Sequence, residues 1–151
     1  MEFKAVVCNL GSQYYGIDIS LVQGIEREQE IVSVPNTASY IKGMINLRGE
    51  IIPIYSLRKK FGMEDSTGEG QFIIVRIGEM PLALEVDGVG EIYQADDSSV
   101  YETPKIVISK DTRYVEKVIN ANGRLIIMIN INMLLNDDEK SGIEGLIEAH
   151  K

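Results

Sequence analysis

Few residues in this 151-residue chain have types and spacings that could carry a reaction. The single histidine, His150, stands next to the carboxyl end, where nothing orients it as a base. The single cysteine, Cys8, lies in an apolar run and reads as a small buried hydrophobe. One Cys and one His cannot build a thiolate or imidazole cage, and the carboxylates are scattered where a calcium loop would cluster them. Ser12, Ser20 and Ser56 have no base partner. Asp18 and Asp87 read as strand-end or turn carboxylates that bond nearby amides. Val86-Asp87-Gly88-Val89-Gly90 is glycine-rich, but it leads into no amphipathic helix and holds no Lys or Arg, so a nucleotide reading is weak. Carboxylate-only catalysis between Asp18 and Asp87 is the one enzymatic reading left open. The residues favour a binding protein with no cofactor and no metal.

The elements that would position a binding surface centre on Tyr40 to Gly62. Two apolar arms, Ile41, Met44, Ile45 and Leu47, then Ile51, Ile52, Ile54 and Tyr55, flank Arg48-Gly49-Glu50. Gly49 can supply the positive φ of a tight reversal, and β-branched arms suit paired strands, so a hairpin is predicted. Pro53 cannot donate a ladder hydrogen bond and predicts an edge or a bulge. Ser56 caps a short helix from Leu57 to Phe61, with Lys59 and Lys60 in its last turn and Gly62 as its stop.

This unit recurs. At a shift of 74, Tyr40 matches Tyr114, Ile45-Asn46 matches Ile119-Asn120, Gly49 matches Gly123, and the apolar run from Ile51 matches that from Leu125. Upstream, at a shift of 67, Tyr15 to Ile19 resembles Leu82 to Val86, Gly11 matches Gly78 and Ile25 matches Ile92. Apolar alternation aligns with itself anywhere, but coincident Gly, Asn and Tyr positions point to two equivalent subdomains, with halves near 1–68 and 69–136 and a tail or short helix over 137–151.

A hydrophobic content of 44% supports one compact domain of two packed halves. A lone cysteine excludes an internal disulfide and fits a reducing compartment. No signal peptide and no apolar run of about 20 residues is present, which predicts a cytosolic protein. The net charge of −8 is uneven: seven basic and six acidic side chains precede Glu64, and eight and seventeen follow from it. Such a surface repels nucleic acid and anionic lipid. The one basic concentration is Lys42, Arg48, Arg58, Lys59 and Lys60, which can meet an acidic partner or form a solvated face.

Elsewhere, Phe3 to Leu10 and Tyr14 to Ile19 form a first hairpin. A helical turn closed by Gly24 leads into a strand from Ile25 to Val32, whose Glu26, Glu28 and Glu30 mark a water-facing side. Met63 to Gly70 is the only internal linker, and Gln71 to Ile77 with Met80 to Val86 is a second hairpin. Ala95 to Thr112 reads as an irregular crossing segment. Asn122-Gly123 is the strongest hairpin signal. Ile131, Leu134 and Leu135 keep helical spacing after Asn130. Beyond Asp137, Ile143, Leu146 and Ile147 share a helical face that Gly142 and Gly145 weaken.

Tyr15-Gly16-Ile17-Asp18-Ile19, Val34-Pro35, Ile41 to Gly49, Ile52-Pro53-Ile54, Leu57-Arg58 and Val86-Asp87-Gly88-Val89 together resemble the CheW family, in its order and over nearly the whole chain. The resemblance implies a mainly β fold: two five-stranded SH3-like barrels packed on a shared apolar core, with short helices and with strands able to pass between barrels. It further implies a chemotaxis coupling adaptor between the cytoplasmic tips of methyl-accepting chemoreceptors and the regulatory domain of the histidine kinase CheA. The adaptor would be cytoplasmic, reach membrane arrays only through partners, and be a monomer in isolation. Two departures stand out. Ser56 replaces a more usual acidic or amide residue, and Gly24 stands where some relatives have Glu.

By the same resemblance, Ile19, Val22, Val86, Val89 and Ile92 line an apolar groove for the receptor helix, with Arg48 as its polar contact; the alternative is that all five apolar residues are core. The planar fork of Arg48 can order loops or meet a carboxylate. Lys42 and Ile51 are candidates for one kinase contact, and Tyr101 and Ile106 for a second that closes rings of kinase and adaptor. Two further classes compete with an adaptor. A small-molecule carrier would use a barrel interior, though each half is small for that. An oligonucleotide-binding barrel would need a basic groove and stacking aromatics, against which stand the acidic charge and an aromatic content of 7%.

Overall fold

A computed structural model describes residues 3–34, 40–64, 68–102, 113–135 and 137–149. Eleven strands dominate the described residues: β1 (Phe3–Leu10), β2 (Gln13–Asp18), β3 (Val22–Arg27), β4 (Ile41–Leu47), β5 (Glu50–Ser56), β6 (Gln71–Ile77), β7 (Met80–Val86), β8 (Gly88–Ala95), β9 (Val100–Glu102), β10 (Val115–Ala121) and β11 (Arg124–Ile129). Short helices α1 (Leu57–Lys60) and α2 (Ile131–Leu134) and a longer α3 (Asp137–Ala149) complete them. The protein is mainly β, as the resemblance implies.

Two compact units divide the chain: residues 1–22 with 88–135, and residues 23–87 with 136–151. The sheet of the first runs β8-β1-β2-β11-β10-β9; that of the second runs β3-β6-β7-β5-β4. Both are small SH3-like units. Five strands were expected of each, and the first has six because β9 adds a three-residue edge beside β10. Neither ladder closes on itself among the described residues. Inside the first unit Ala5, Val7, Ile119, Ile126 and Met128 pack together; inside the second, Ile45, Ile52, Ile54, Phe72, Ile74 and Ala83 do so.

The repeat persists down to register. All six β4–β5 pairs, from Ile41 opposite Tyr55 to Leu47 opposite Glu50, recur 74 residues later in β10–β11, including the bulge after Ile41 and its counterpart after Val115. The two turns are alike as well. Arg48 (φ 52°) and Gly49 (φ 89°) match Asn122 (φ 56°) and Gly123 (φ 87°), a mirror-type turn whose twist suits a two-residue hairpin. Asn46 Oδ1 accepts the Gly49 N–H at 2.9 Å, and Asn120 Oδ1 accepts the Gly123 N–H at 2.8 Å.

The equivalent hairpins nevertheless sit in crossed company. β4–β5 adds in parallel to β7, and β10–β11 adds in parallel to β2. Each unit therefore combines a hairpin from the first half of the sequence with one from the second. The repeat frames 1–68 and 69–136 run across the compact units.

Several local expectations change. Pro53 predicted an edge or bulge, yet β5 is interior, between β7 and β4. Pro53 opposes Met44, whose N–H and carbonyl bond Val32 at 3.0 and 2.9 Å on the far side of β4, so this antiparallel pair exchanges no hydrogen bond and the β4–β5 ladder loses nothing by the proline; the parallel pairing with β7 runs from Ile54. Gly24 closes no helix. A 3-10 turn spans Ile19–Leu21 only, held by the Asp18 carboxylate accepting the Ser20 N–H at 2.9 Å, and Gly24 lies within β3. The strand expected over Ile25 to Val32 thus starts and ends early, and Val32 keeps only an isolated bridge to Met44. Within the crossing segment, a 3-10 turn at Asp97–Ser99 and β9 are ordered elements; residues 103–112 lie outside the described residues.

Helix ends follow local chemistry. Ser56 Oγ accepts the Lys59 N–H at 3.2 Å, and Asn130 Oδ1 accepts the Asn132 N–H at 3.0 Å, each cap being worth about 1 kcal/mol. α3 buries Ile143 and Leu146, with Ile147 half-buried. It also buries Glu139, which accepts from the Tyr55 hydroxyl at 3.1 Å and lies 3.6 Å from Lys60 Nζ. Packing and one satisfied buried carboxylate thus offset its glycines.

Candidate interaction surfaces

Arg48 occupies the left-handed region, where a residue with a Cβ is disfavoured and Asn is tolerated best. Its counterpart Asn122 meets that preference. The Arg48 side chain is 77% exposed and pairs with Glu26 at 3.0 Å, an exposed pair worth at most about 1 kcal/mol. The turn needs no guanidinium, so an exposed cation stands there at some conformational cost.

The other expected basic residues are largely engaged. Lys42 Nζ donates to both Glu85 oxygens at 3.0 and 3.1 Å. Arg58 grips Asp87 with two bonds, Nε to Oδ1 at 2.6 Å and Nη2 to Oδ2, and Nη1 donates to the Glu64 carbonyl at 2.8 Å. Lys60 lies near Glu139 and 5.1 Å from the Tyr40 ring centroid. Lys59 is exposed. The basic concentration is therefore mostly an internal ion-pair set of the second unit. Nor do the acids expected on one water-facing strand side simply face water: Glu26 in β3 meets Arg48, and Glu28, just past the strand's end, accepts the Gly70 N–H at 2.7 Å.

Four of the apolar receptor candidates keep accessible side chains. Ile19 and Val22 are half-buried at the two ends of the 3-10 turn, and Val89 is half-buried on β8. Ile92 is 58% exposed. Residues three apart on a strand normally face opposite ways. Here Val89 opposes Cys8 and Ile92 opposes Val6, so an extra residue in β8 turns both to one face. Val86 differs: it is 2% exposed and belongs to the core of the second unit. Among kinase candidates, Ile51 is half-buried beside the Arg48 turn, and Tyr101 is 54% exposed on the edge strand β9. Ile106 lies outside the described residues.

Sequence reasoning missed two features. Leu125, 59% exposed, is the counterpart of Ile51 by the shift of 74, which was the available signal. Arg124 stacks 4.5 Å from the Tyr14 ring and bonds Glu91; that bond raises its pKa further above the usual arginine value. The Ser98 hydroxyl holds the Asp96 carboxyl below its ordinary pKa, and burial, then Cys8, pushes the Tyr15 phenol up. Among the described residues, no group of three or more His, Cys, Asp or Glu side chains is placed to hold a metal ion. Among the described residues, no helix is long and apolar enough to cross a membrane either.

A solved structure shares this architecture over most of the chain. The crystal structure of scaffolding protein TtCheW from Thermoanaerobacter tengcongensis superposes with a TM-score of 0.82 at 33% identity, covering 92% of this chain and 96% of that one. The chemotaxis protein CheW of Klebsiella aerogenes is 31% identical over 147 residues, covering 96% of this chain and 89% of its own length. That of Treponema pallidum is 28% identical over 151 residues, with the same coverages of 96% and 89%. The family model for the CheW-like domain matches residues 4–139, and the chain belongs to that CheW-like family.

Proposed function

We propose that this chain is a chemotaxis coupling adaptor, linking the cytoplasmic tips of chemoreceptors to the histidine kinase CheA so that receptors control kinase activity. The observation that carries the reading is the likeness, in sequence and fold over 92% of this chain, to a scaffolding protein. It acts by binding, performs no reaction of its own, and reaches membrane arrays from the cytoplasm through its partners.

In the first unit, the apolar face that carries Val89 and Ile92, together with Ile19 and Val22, is a receptor contact; in the second unit, Arg48 is a polar receptor contact in its own right. Val86 takes part as a core residue beneath its own unit's surface. The cost of a cation in the left-handed region supports a contact role for Arg48. Ile51 is a kinase contact; Lys42, bound to Glu85, positions that turn's unit more than it offers a free charge. Tyr101, on the edge strand β9, makes a second kinase contact, and Ile106, outside the described residues, is the other residue proposed for it. A carrier role is less well supported, because the described interiors are filled by Ile, Phe, Met and Ala side chains. Pull-down of purified CheA and a receptor cytoplasmic fragment tests the reading. Both are expected to be retained; retention of neither removes it.

A further inference from the structure

The second unit carries a cleft of about 1080 Å³ bounded by the β4–β5 turn, the β6–β7 turn and α3. Ile51, Ile77 and Met80 from the strands and Ile147 from α3 give it an apolar lining, and Glu79 and Glu144 put carboxylates at its exposed margin. Glu50 is also there, but Arg76 offsets it with bonds of 3.1 and 2.8 Å. The same guanidinium donates to the Glu79 carbonyl at 2.9 Å and to Gln23 at 2.9 Å. One side chain thus ties both turns and β3 together, and the cleft is pre-organised. Its described lining contains no lysine or arginine.

We infer that this cleft is a docking site for a protein segment that brings basic side chains around an apolar anchor. Two observations choose that occupant. The apolar lining asks for an anchor, while acidic margins without a cation among the lining residues repel acidic segments and attract basic ones. The volume stands at or above the about 300–1,000 Å³ usual for small-ligand pockets, which suits a stretch of chain better than a metabolite. The inference does not rest on the adaptor reading; Ile51 alone is common to the cleft and the proposed kinase contact, and because the test reads the Glu79 and Glu144 margin, failure of one reading leaves the other standing.

The test titrates the full chain with an amidated peptide of about a dozen residues, three lysines around two leucines in an alanine background, and follows amide shifts by NMR and affinity by calorimetry. Shifts are expected at Ile77 to Met80 and Glu144 to Glu148. The double variant Glu79→Gln with Glu144→Gln, both at exposed positions, is expected to lose about tenfold in affinity, and a peptide with Glu in place of Lys to bind no better than that variant. Equal affinity for wild type and variant, shifts centred on other acidic faces, or no saturable binding would overturn the proposal. Equal shifts with butylamine alone would overturn it too, since the site would then belong to a small organic cation.

Discussion

Ile54 lies opposite Ala83 in the parallel pairing of β5 with β7, and Met128 lies opposite Gly16 in the matching place of the other unit. These two contacts join hairpins from different halves of the sequence. An added Cβ at Gly16 would overlap the Met128 sulfur, so the smallest residue at that crossing lets the second hairpin approach.

The crossed arrangement predicts that neither half folds alone. Fragments 1–68 and 69–151 should each lack cooperative thermal unfolding by circular dichroism, because each holds two hairpins whose sheet partners are in the other. Mixing them should restore a cooperative transition. A cooperative melt by either fragment in isolation would contradict the pairing.

Arg48→Asn should stabilise the turn and weaken function. Moving from Arg to the residue that Asn122 uses relieves about 0.5–1 kcal/mol of left-handed strain, partly offset by loss of the exposed Glu26 pair. The melting temperature should hold or rise by up to about 4 °C. Kinase activation in a reconstituted receptor array should fall. Full activation with the raised melting temperature would make Arg48 dispensable for contact.

Gly43→Ala should be strongly destabilising. Gly43 sits in the β4 bulge at φ 152°, and a Cβ there would overlap the Val32 carbonyl oxygen and crowd Ile31. With the strain and overlap combined, a loss of about 2–4 kcal/mol is expected in urea unfolding. A midpoint within error of wild type would mean that the Val32–Met44 bridge yields at little cost.

Val22→Glu and Val89→Glu separate surface from core. Both valines are half-buried, and each substitution should reduce binding of a receptor fragment while sparing that of CheA. Parallel loss of both partners, with a lowered melting temperature, would assign them to the core.

Much of this architecture is legible in the chain because it is local. The reversals at Arg48-Gly49 and Asn122-Gly123, the caps at Ser56 and Asn130, and the hairpins Gln71–Ile77 and Met80–Val86 depend on residues within a few positions of one another. Their repetition marks two like units in the sequence itself.

What tertiary structure alone decided is partnership over distance. Arg48 finds Glu26 across 22 residues, Arg58 finds Asp87 across 29, Lys42 finds Glu85 across 43 and Tyr55 finds Glu139 across 84. A run of lysines and arginines carries no mark of which acids will neutralise it, so a patch read as open became an internal network. Pro53 moved to the sheet interior, and Val86 into the core, for the same reason. Which hairpin a strand joins depends on burial and pairing summed over the whole chain, and local spacing is blind to that sum.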